Sequence, residues 1–266
     1  KTYAKGVKEE HNNYVVSEWN GYKVPFLFAS NGRKYIKEVQ DKSGVHFLDC
    51  RNSKNNAKVL QGWYSPEKLE SMINEDIANA NKTLDDMSFE FLQSENSIGL
   101  RYYQVDAIKA VEKAIIENKQ SALITMATGT GKTRTVLGLI YRLIKTKRYR
   151  RILFLVDRTS LGTQALDTFK EVKIEDLKTL NQIYNINGLD EETKIHIATV
   201  QAMVKRIMYN EEETNVPSVG DYDCIIVDEA HRGYTLDKEM TDNEVEWRDN
   251  RDFLSKYKKV IEYFDA

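Results

Sequence analysis

Eight residues, Met126-Ala127-Thr128-Gly129-Thr130-Gly131-Lys132-Thr133, constrain this 266-residue chain more than any other stretch. They stand between an apolar run, 121–127, and an amphipathic segment, 132–146, so the pattern predicts a buried strand, a glycine-rich turn and a helix. Glycines at 129 and 131 let backbone N–H groups turn toward a phosphate chain, which the N-terminus of the following helix then faces. Lys132 reaches the β and γ phosphates of a bound triphosphate, and Thr133 offers its hydroxyl to Mg²⁺. The whole turn, from Thr128 through Arg134, is expected to surround a nucleotide. One departure is visible: the usual pattern has glycine six residues before the lysine, where this chain has Met126.

A phosphate-binding turn needs an acidic partner, and Ile225-Ile226-Val227-Asp228-Glu229-Ala230-His231 supplies one. Apolar residues ending in two carboxylates predict a strand whose carboxyl edge carries the chemistry, the edge at which open α/β sheets bind ligands. Asp228 is expected to hold Mg²⁺ through water, while Glu229 orients and deprotonates the attacking water. His231 is expected to couple ATP to nucleic acid. Upstream, Leu100-Arg101-Tyr102-Tyr103-Gln104 precedes a helix, with Gln104 28 residues before Lys132. Taken alone it is an ordinary helix start; followed by these two motifs it reads as an adenine clamp, because a carboxamide donates to and accepts from the adenine edge at once.

Around these motifs, strands are expected at 121–127, 151–156, 194–199 and 223–228, alternating with helices at 102–117, 132–146, 160–170 and 201–209. That alternation implies parallel pairing and a doubly wound α/β domain over 96–266. Earlier in the chain, Val24 to Ala29 and Lys34 to Val39 flank Ser30-Asn31-Gly32 and predict a hairpin, with Val45 to Cys50 as a third strand. Ser65-Pro66-Glu67 starts a helix expected to reach about Ala80, followed by a polar linker over 81–99. The domains expected are 1–60, a helical linker over 61–95, and 96–266. Charged residues make up 30% and aromatic residues 10%, which excludes disordered and collagen-like classes. Cys50 and Cys224 match no metal-ligand spacing. No apolar run is long enough for a membrane helix and the opening residues are not a signal peptide, so a cytoplasmic protein is expected. Net charge is −2, yet residues 101–206 hold 19 Lys+Arg against 11 Asp+Glu, net +8, a distribution suited to a polyanion partner.

Residues 100–231 resemble the RecA-like first motor domain of a superfamily 2 helicase with a DEAH box. Leu155-Val156-Asp157-Arg158 with Leu161 and Gln164, then Ile197-Ala198-Thr199-Val200-Gln201, and His231-Arg232-Gly233 narrow the resemblance to the restriction (motor) subunit of type I restriction-modification enzymes. Lys1-Thr2-Tyr3-Ala4 and Val24 to Gly32 resemble the closing part of that subunit's nuclease domain, so 1–60 is expected to be the C-terminal remnant of an α/β nuclease domain. The resemblance implies ATP and Mg²⁺ as cofactors. It also implies double-stranded DNA and the specificity and methyltransferase subunits as partners, and Arg158, Thr199 and Gln201 as contacts to a DNA strand. It assigns Tyr3 to the nuclease's Gln-x-x-x-Tyr element and places the nuclease metal ligands outside this chain. Glu171-x-Lys173 and Glu192-x-Lys194 fit Glu-x-Lys only by chance composition. The function expected is ATP-dependent translocation of double-stranded DNA. As a fragment of a longer subunit, the chain is expected to be inactive as a nuclease and nearly inactive as an ATPase. Two other readings stand beside it: a type III restriction or repair motor of the same superfamily, or a module that binds ATP and DNA without turnover.

Overall fold

The computed structural model describes residues 5, 18–95, 97–156, 180–182, 193–209, 216–230 and 258–266. The chain divides into two compact units. One comprises Lys1–Glu75, Ser218–Asp221 and Tyr263–Asp265; the other comprises Asp76–Pro217, Tyr222–Glu262 and Ala266.

The first unit contains an antiparallel sheet of order β1-β2-β3, with β1 (Phe26–Ser30), β2 (Val45–Asp49) and β3 (Lys58–Leu60). Phe28 faces Phe47 across the first pair, and Phe47 packs its ring 4.8 Å from that of Tyr64. Tyr64 and Lys58 both donate to the carboxylate of Asp265, and burial pushes the Tyr64 phenol well above its ordinary range. The expected strand over 45–50 is present, but the hairpin with 34–39 is not. Lys37–Lys42 is 3-10 helical, kinked at Val39, and Ile36 and Val39 lie exposed. Ser43 explains this: its buried hydroxyl accepts from the Ile36 N–H and donates to backbone carbonyls of the same loop, so those groups need no sheet partner. Gly44, at φ +71°, then turns the chain into β2. The expected helix at Pro66 is capped by Ser65, whose hydroxyl accepts from the Lys68 N–H, but α1 (Pro66–Asn74) stops early.

Asp76 caps a new helix in the second unit, α2 (Ile77–Asp86), by accepting from the Asn79 N–H. A short helix, α3 (Glu90–Gln93), follows, so most of 81–93 is helical where a polar linker was expected over 81–99. Leu84 and Leu92 are fully buried and anchor this stretch in the core. α4 (Tyr102–Ile116) and α5 (Lys132–Lys145) follow as expected. The sheet is parallel, of order β5-β6-β4-β7, with β4 (Ile152–Val156), β5 (Leu180–Gln182), β6 (Ile195–Thr199) and β7 (Cys224–Val227). α6 (Val200–Met208) leaves β6 directly. β4 is a continuous apolar run and β6 (Ile195–Thr199) is apolar except for His196 and Thr199, and both strands are buried along their whole length, as parallel strands covered on both faces require. This mixed α/β unit with a parallel sheet agrees with the expected class. The strand expected over 121–127 does not form: the segment joins no ladder among the described residues, and Leu123 is 83% exposed rather than buried against a neighbour. The helix expected over 160–170 lies outside the described residues. No described helix is long and apolar enough to cross a membrane.

Candidate functional site

The glycine-rich turn closes on itself before the helix begins. Thr130 donates through both its N–H and its hydroxyl to the Ala127 carbonyl, at 3.4 and 2.6 Å. Gly129 and Gly131 lie in the left-handed region, at φ +80° and +81°, and Gly131 is the N-cap of α5. Lys132 and Thr133 are therefore the first residues of a helix whose opening N–H groups point out of the turn. Thr135 donates back to the Gly131 carbonyl from its N–H and its hydroxyl, at 3.0 and 3.2 Å. A Cβ at Gly131 would stand 2.5 Å from Gln104 Nε2, so a second constraint beside the backbone angle favours glycine there.

Gln104 is buried, 3% exposed, and its carboxamide is engaged with the turn. Nε2 donates to the carbonyls of Thr130 and Gly131, at 3.0 and 3.1 Å, while Oε1 accepts from the Arg101 N–H at 2.8 Å. The tyrosine beside it, Tyr103, donates its hydroxyl to the Thr130 carbonyl at 3.2 Å. This second contact was not anticipated from the sequence. Its only signal is adjacency, since Tyr103 precedes the glutamine in the same helical turn.

β7 ends at Val227, and the ladder with β4 continues one step further, where the Asp228 N–H donates to the Leu155 carbonyl at 2.9 Å. Glu229 then takes φ +52°, a left-handed conformation uncommon for a side chain of its size. Its N–H donates to Asp228 Oδ1 at 3.0 Å, and its carboxylate meets Lys132: Nζ to Oε1 is 3.0 Å. The reversal at Glu229 thus accompanies the meeting of two motifs that lie 97 residues apart in sequence. Lysine, hydroxyl and carboxylate stand together around the start of α5, which is the donor set a magnesium–triphosphate group requires.

Among the remaining predicted residues, Thr128, Gly129 and Arg134 are exposed and Thr133 is half-buried. Thr199 ends β6 and caps α6, accepting from the Ala202 N–H at 3.2 Å, and Gln201 is exposed in the first turn of that helix. Both therefore sit at the carboxyl edge of the parallel sheet that also carries Asp228. Arg158, His231 and Tyr3 lie outside the described residues, as do Glu171, Lys173 and Glu192. No group of three or more His, Cys, Asp or Glu side chains is placed to hold a metal among the described residues. A magnesium ion held by Thr133, by Asp228 through water and by phosphate oxygens needs no such group.

Residues 97–266 match the family described as the res subunit of type III restriction enzymes, and residues 1–73 match the second domain of the type I restriction enzyme EcoKI endonuclease subunit. The EcoKI endonuclease subunit of Escherichia coli (strain K12) is 45% identical over 250 residues, covering 92% of this chain and 21% of that subunit. The EcoAI endonuclease subunit of Escherichia coli is 28% identical over 234 residues, covering 87% of this chain and 26% of the relative. The chain thus spans about a fifth to a quarter of the length of these two relatives. Among solved structures, a nuclease-deletion mutant of the Type ISP restriction-modification enzyme LlaGI in complex with a DNA substrate mimic matches 50% of this chain and 15% of that one. Its identity is 25% and its TM-score 0.37.

Proposed function

The chain belongs to the family of restriction-enzyme subunits, and from that premise we propose that it is the ATP-dependent translocase part of a type I restriction endonuclease motor subunit, moving double-stranded DNA before cleavage. The observation that carries this reading is the Lys132–Glu229 pair, which joins the phosphate-binding turn to the acidic motif at 3.0 Å. A type III or repair motor is less favoured, because residues 1–73 match a type I subunit as well. On this reading 96–266 is the first, doubly wound motor lobe, and 1–60 is the end of a nuclease domain.

In the reaction, Lys132 leaves Glu229 and neutralises the β and γ phosphates of ATP, whose oxygens accept from the N–H groups of the turn. Thr133, and Asp228 through water, would hold Mg²⁺, whose charge would offset that of the phosphates. Glu229, released from the lysine, orients a water molecule in line with the γ phosphorus and takes its proton as the oxygen–phosphorus bond forms and ADP departs. Gln104 and Tyr103 hold the carbonyl side of the turn, so that its N–H side faces the phosphates. Arg158, Thr199 and Gln201 contact the phosphates of a DNA strand, Thr199 and Gln201 from the carboxyl edge of the sheet, positioning the track without reading its sequence. The specificity and methyltransferase subunits of a type I complex are the protein partners implied.

An ATPase assay of the 266-residue chain, with and without duplex DNA, tests the assignment. ATP and DNA binding with very slow turnover is expected, because an arginine finger contributes about 10³ to 10⁵ in rate to phosphoryl transfer and this reading assigns none to the 266 residues. DNA-stimulated turnover on the order of 10 s⁻¹, lost in Glu229→Gln, would show that this chain alone is a competent motor. A chain that binds neither ATP nor DNA would remove the translocase reading altogether.

A further inference from the structure

The helices that carry Gln104 and Lys132 are fastened to each other at three levels. On α4 the fastening residues are Gln104, Ile108 and Glu112, four apart and therefore on one face; on α5 they are Gly131, Gly138 and Arg142, seven and four apart, again one face. At the first level Gln104 holds the carbonyls of Thr130 and Gly131. At the second, glycine allows close approach: a Cβ on Gly138 would stand 3.0 Å from Ile108 Cδ1 and 2.8 Å from Leu100 Cδ1. At the third, Arg142, 0% exposed, meets Glu112 in a two-pronged ion pair, Nε to Oε1 at 2.6 Å and Nη2 to Oε2 at 3.1 Å.

A guanidinium has five N–H donors, and Arg142 places all of them. Besides the two on Glu112, Nη2 donates to the Leu84 carbonyl at 2.9 Å, and Nη1 donates to those of Met87 and Ser88 at 2.9 and 3.1 Å. Its plane lies over Phe89, with Cζ 3.6 Å from the ring centroid. Stability alone does not require this arrangement. A buried ion pair is often equalled or bettered by apolar side chains of similar volume, because both charges must give up water. Burial pushes the Glu112 carboxyl upward against the pull of Arg142, which is that cost seen from the acid's side. What a five-donor fork supplies and an apolar pair cannot is register, since it fits one spacing of α4, α5 and the turn after α2.

We propose that Arg142 is a positioning residue for the nucleotide site. Acting through Gln104 and resting on the functional reading given above, it locks α4 against α5 from the end remote from the phosphates and makes the turn 84–89 part of the lock. Lys132 and Arg142 are ten residues apart, about 15 Å along the helix, so Arg142 touches no nucleotide. When the lock is lost, Gln104 drifts from the carbonyls of the turn, the N–H groups are no longer pre-aimed, and the triphosphate binds less tightly.

The test compares the full 266-residue chain with Glu112→Leu/Arg142→Met, which keeps the packing and removes the fork. Mg·ATP is titrated by calorimetry, and folded fraction is followed by urea unfolding. About tenfold weaker ATP binding is expected at unchanged folded fraction. The loss should vanish in a Gln104→Ala background, because Gln104 transmits it; a purely structural role would not produce that dependence. Equal ATP affinity in the folded double variant, or a loss that adds in full to that of Gln104→Ala, overturns the proposal. Should the double variant unfold, Glu112→Gln keeps the shape and blunts the fork: a severalfold loss supports the proposal and none overturns it. Absence of Mg·ATP binding by the unmodified chain would sink the functional reading and this inference together. If the unmodified chain binds, the variants judge Arg142 alone.

Discussion

Lys132 has a partner in this structure, Glu229, which a nucleotide bound as proposed would displace. The pair stands at 3.0 Å with side chains 34% and 26% exposed, so water screens it in part. Bare attraction at that distance is about 5.5 kcal/mol at an effective dielectric constant of ~20, but measured partly exposed pairs retain only about 0.5–1 kcal/mol after desolvation and ordering. The contact of Lys132 with phosphate is charge-assisted and worth roughly 1.5–3 kcal/mol. Two opposite outcomes follow. Lys132→Ala should weaken Mg·ATP binding about ten- to a hundredfold while costing the ligand-free fold no more than ~1 kcal/mol. Glu229→Gln, which removes the competing charge and leaves the lysine in place, should tighten binding about two- to fivefold, the equivalent of ~0.5–1 kcal/mol. Calorimetric titration of the three proteins under non-hydrolysing conditions measures both, and urea unfolding reports the stabilities. Affinity unchanged in Lys132→Ala, or weakened in Glu229→Gln, would refute the view that ATP displaces an internal carboxylate.

Three further outcomes can be measured on the same chain. Gly131→Ala forces a side chain into φ +81° and against Gln104, so stability should fall by about 1–2 kcal/mol in urea unfolding and Mg·ATP should bind more weakly; a variant unchanged in both would show that the turn relaxes freely. Duplex DNA binding, driven by the net +8 of residues 101–206, should be indifferent to sequence and fall roughly fortyfold between ~50 and ~200 mM salt for about three neutralised phosphates; a flat salt profile in a fluorescence-anisotropy titration would remove the electrostatic account. Burial and the neighbouring Asp223 push the Cys224 thiol up to about 12, so at pH 8 only on the order of one molecule in 10⁴ is thiolate. Peptide mapping after brief alkylation at pH 8 should therefore leave the partly buried Cys224 unmodified, whereas labelling at the rate of an ordinary thiol would contradict the upward shift.

Much of the second unit was legible because single residues decide local geometry. Glycine at 131 before Lys132 fixes where α5 starts, and an apolar run as unbroken as 152–156 is the mark of a strand buried on both faces of a parallel sheet. Where the sequence misled, the deciding partner was remote. The run 121–127 has the composition of a buried strand, but composition does not say whether a neighbour offers its backbone groups, and here it joins no ladder among the described residues. Lys34 to Val39 looks like the second strand of a hairpin, yet the Ser43 hydroxyl, not a strand, serves the loop that holds it. Asp76 resembles any surface carboxylate until its oxygen is seen on the Asn79 N–H, dividing one expected helix into two.

The candidate site shows the same division and adds a physical reason for it. Lysine, threonine and paired carboxylates announce phosphoryl chemistry by type and spacing, since few other arrangements of those residues suit it. Their partners within the fold could not be read, because a partly buried polar group bonds with whatever the fold brings within reach. Lys132 is met by Glu229, and the donors of Gln104 are met by the carbonyls of Thr130 and Gly131. Both arrangements satisfy groups that would otherwise be stranded, but a nucleotide bound as proposed would ask different things of them: the lysine would exchange a carboxylate for phosphate oxygens, while the carboxamide would keep the carbonyls of the turn and so hold its N–H side toward the phosphates. The affinity of the site is therefore a difference between two sets of bonds. Substitutions on the protein side of that difference, Glu229 and Arg142 among them, should shift nucleotide binding as surely as those on the side that touches phosphate.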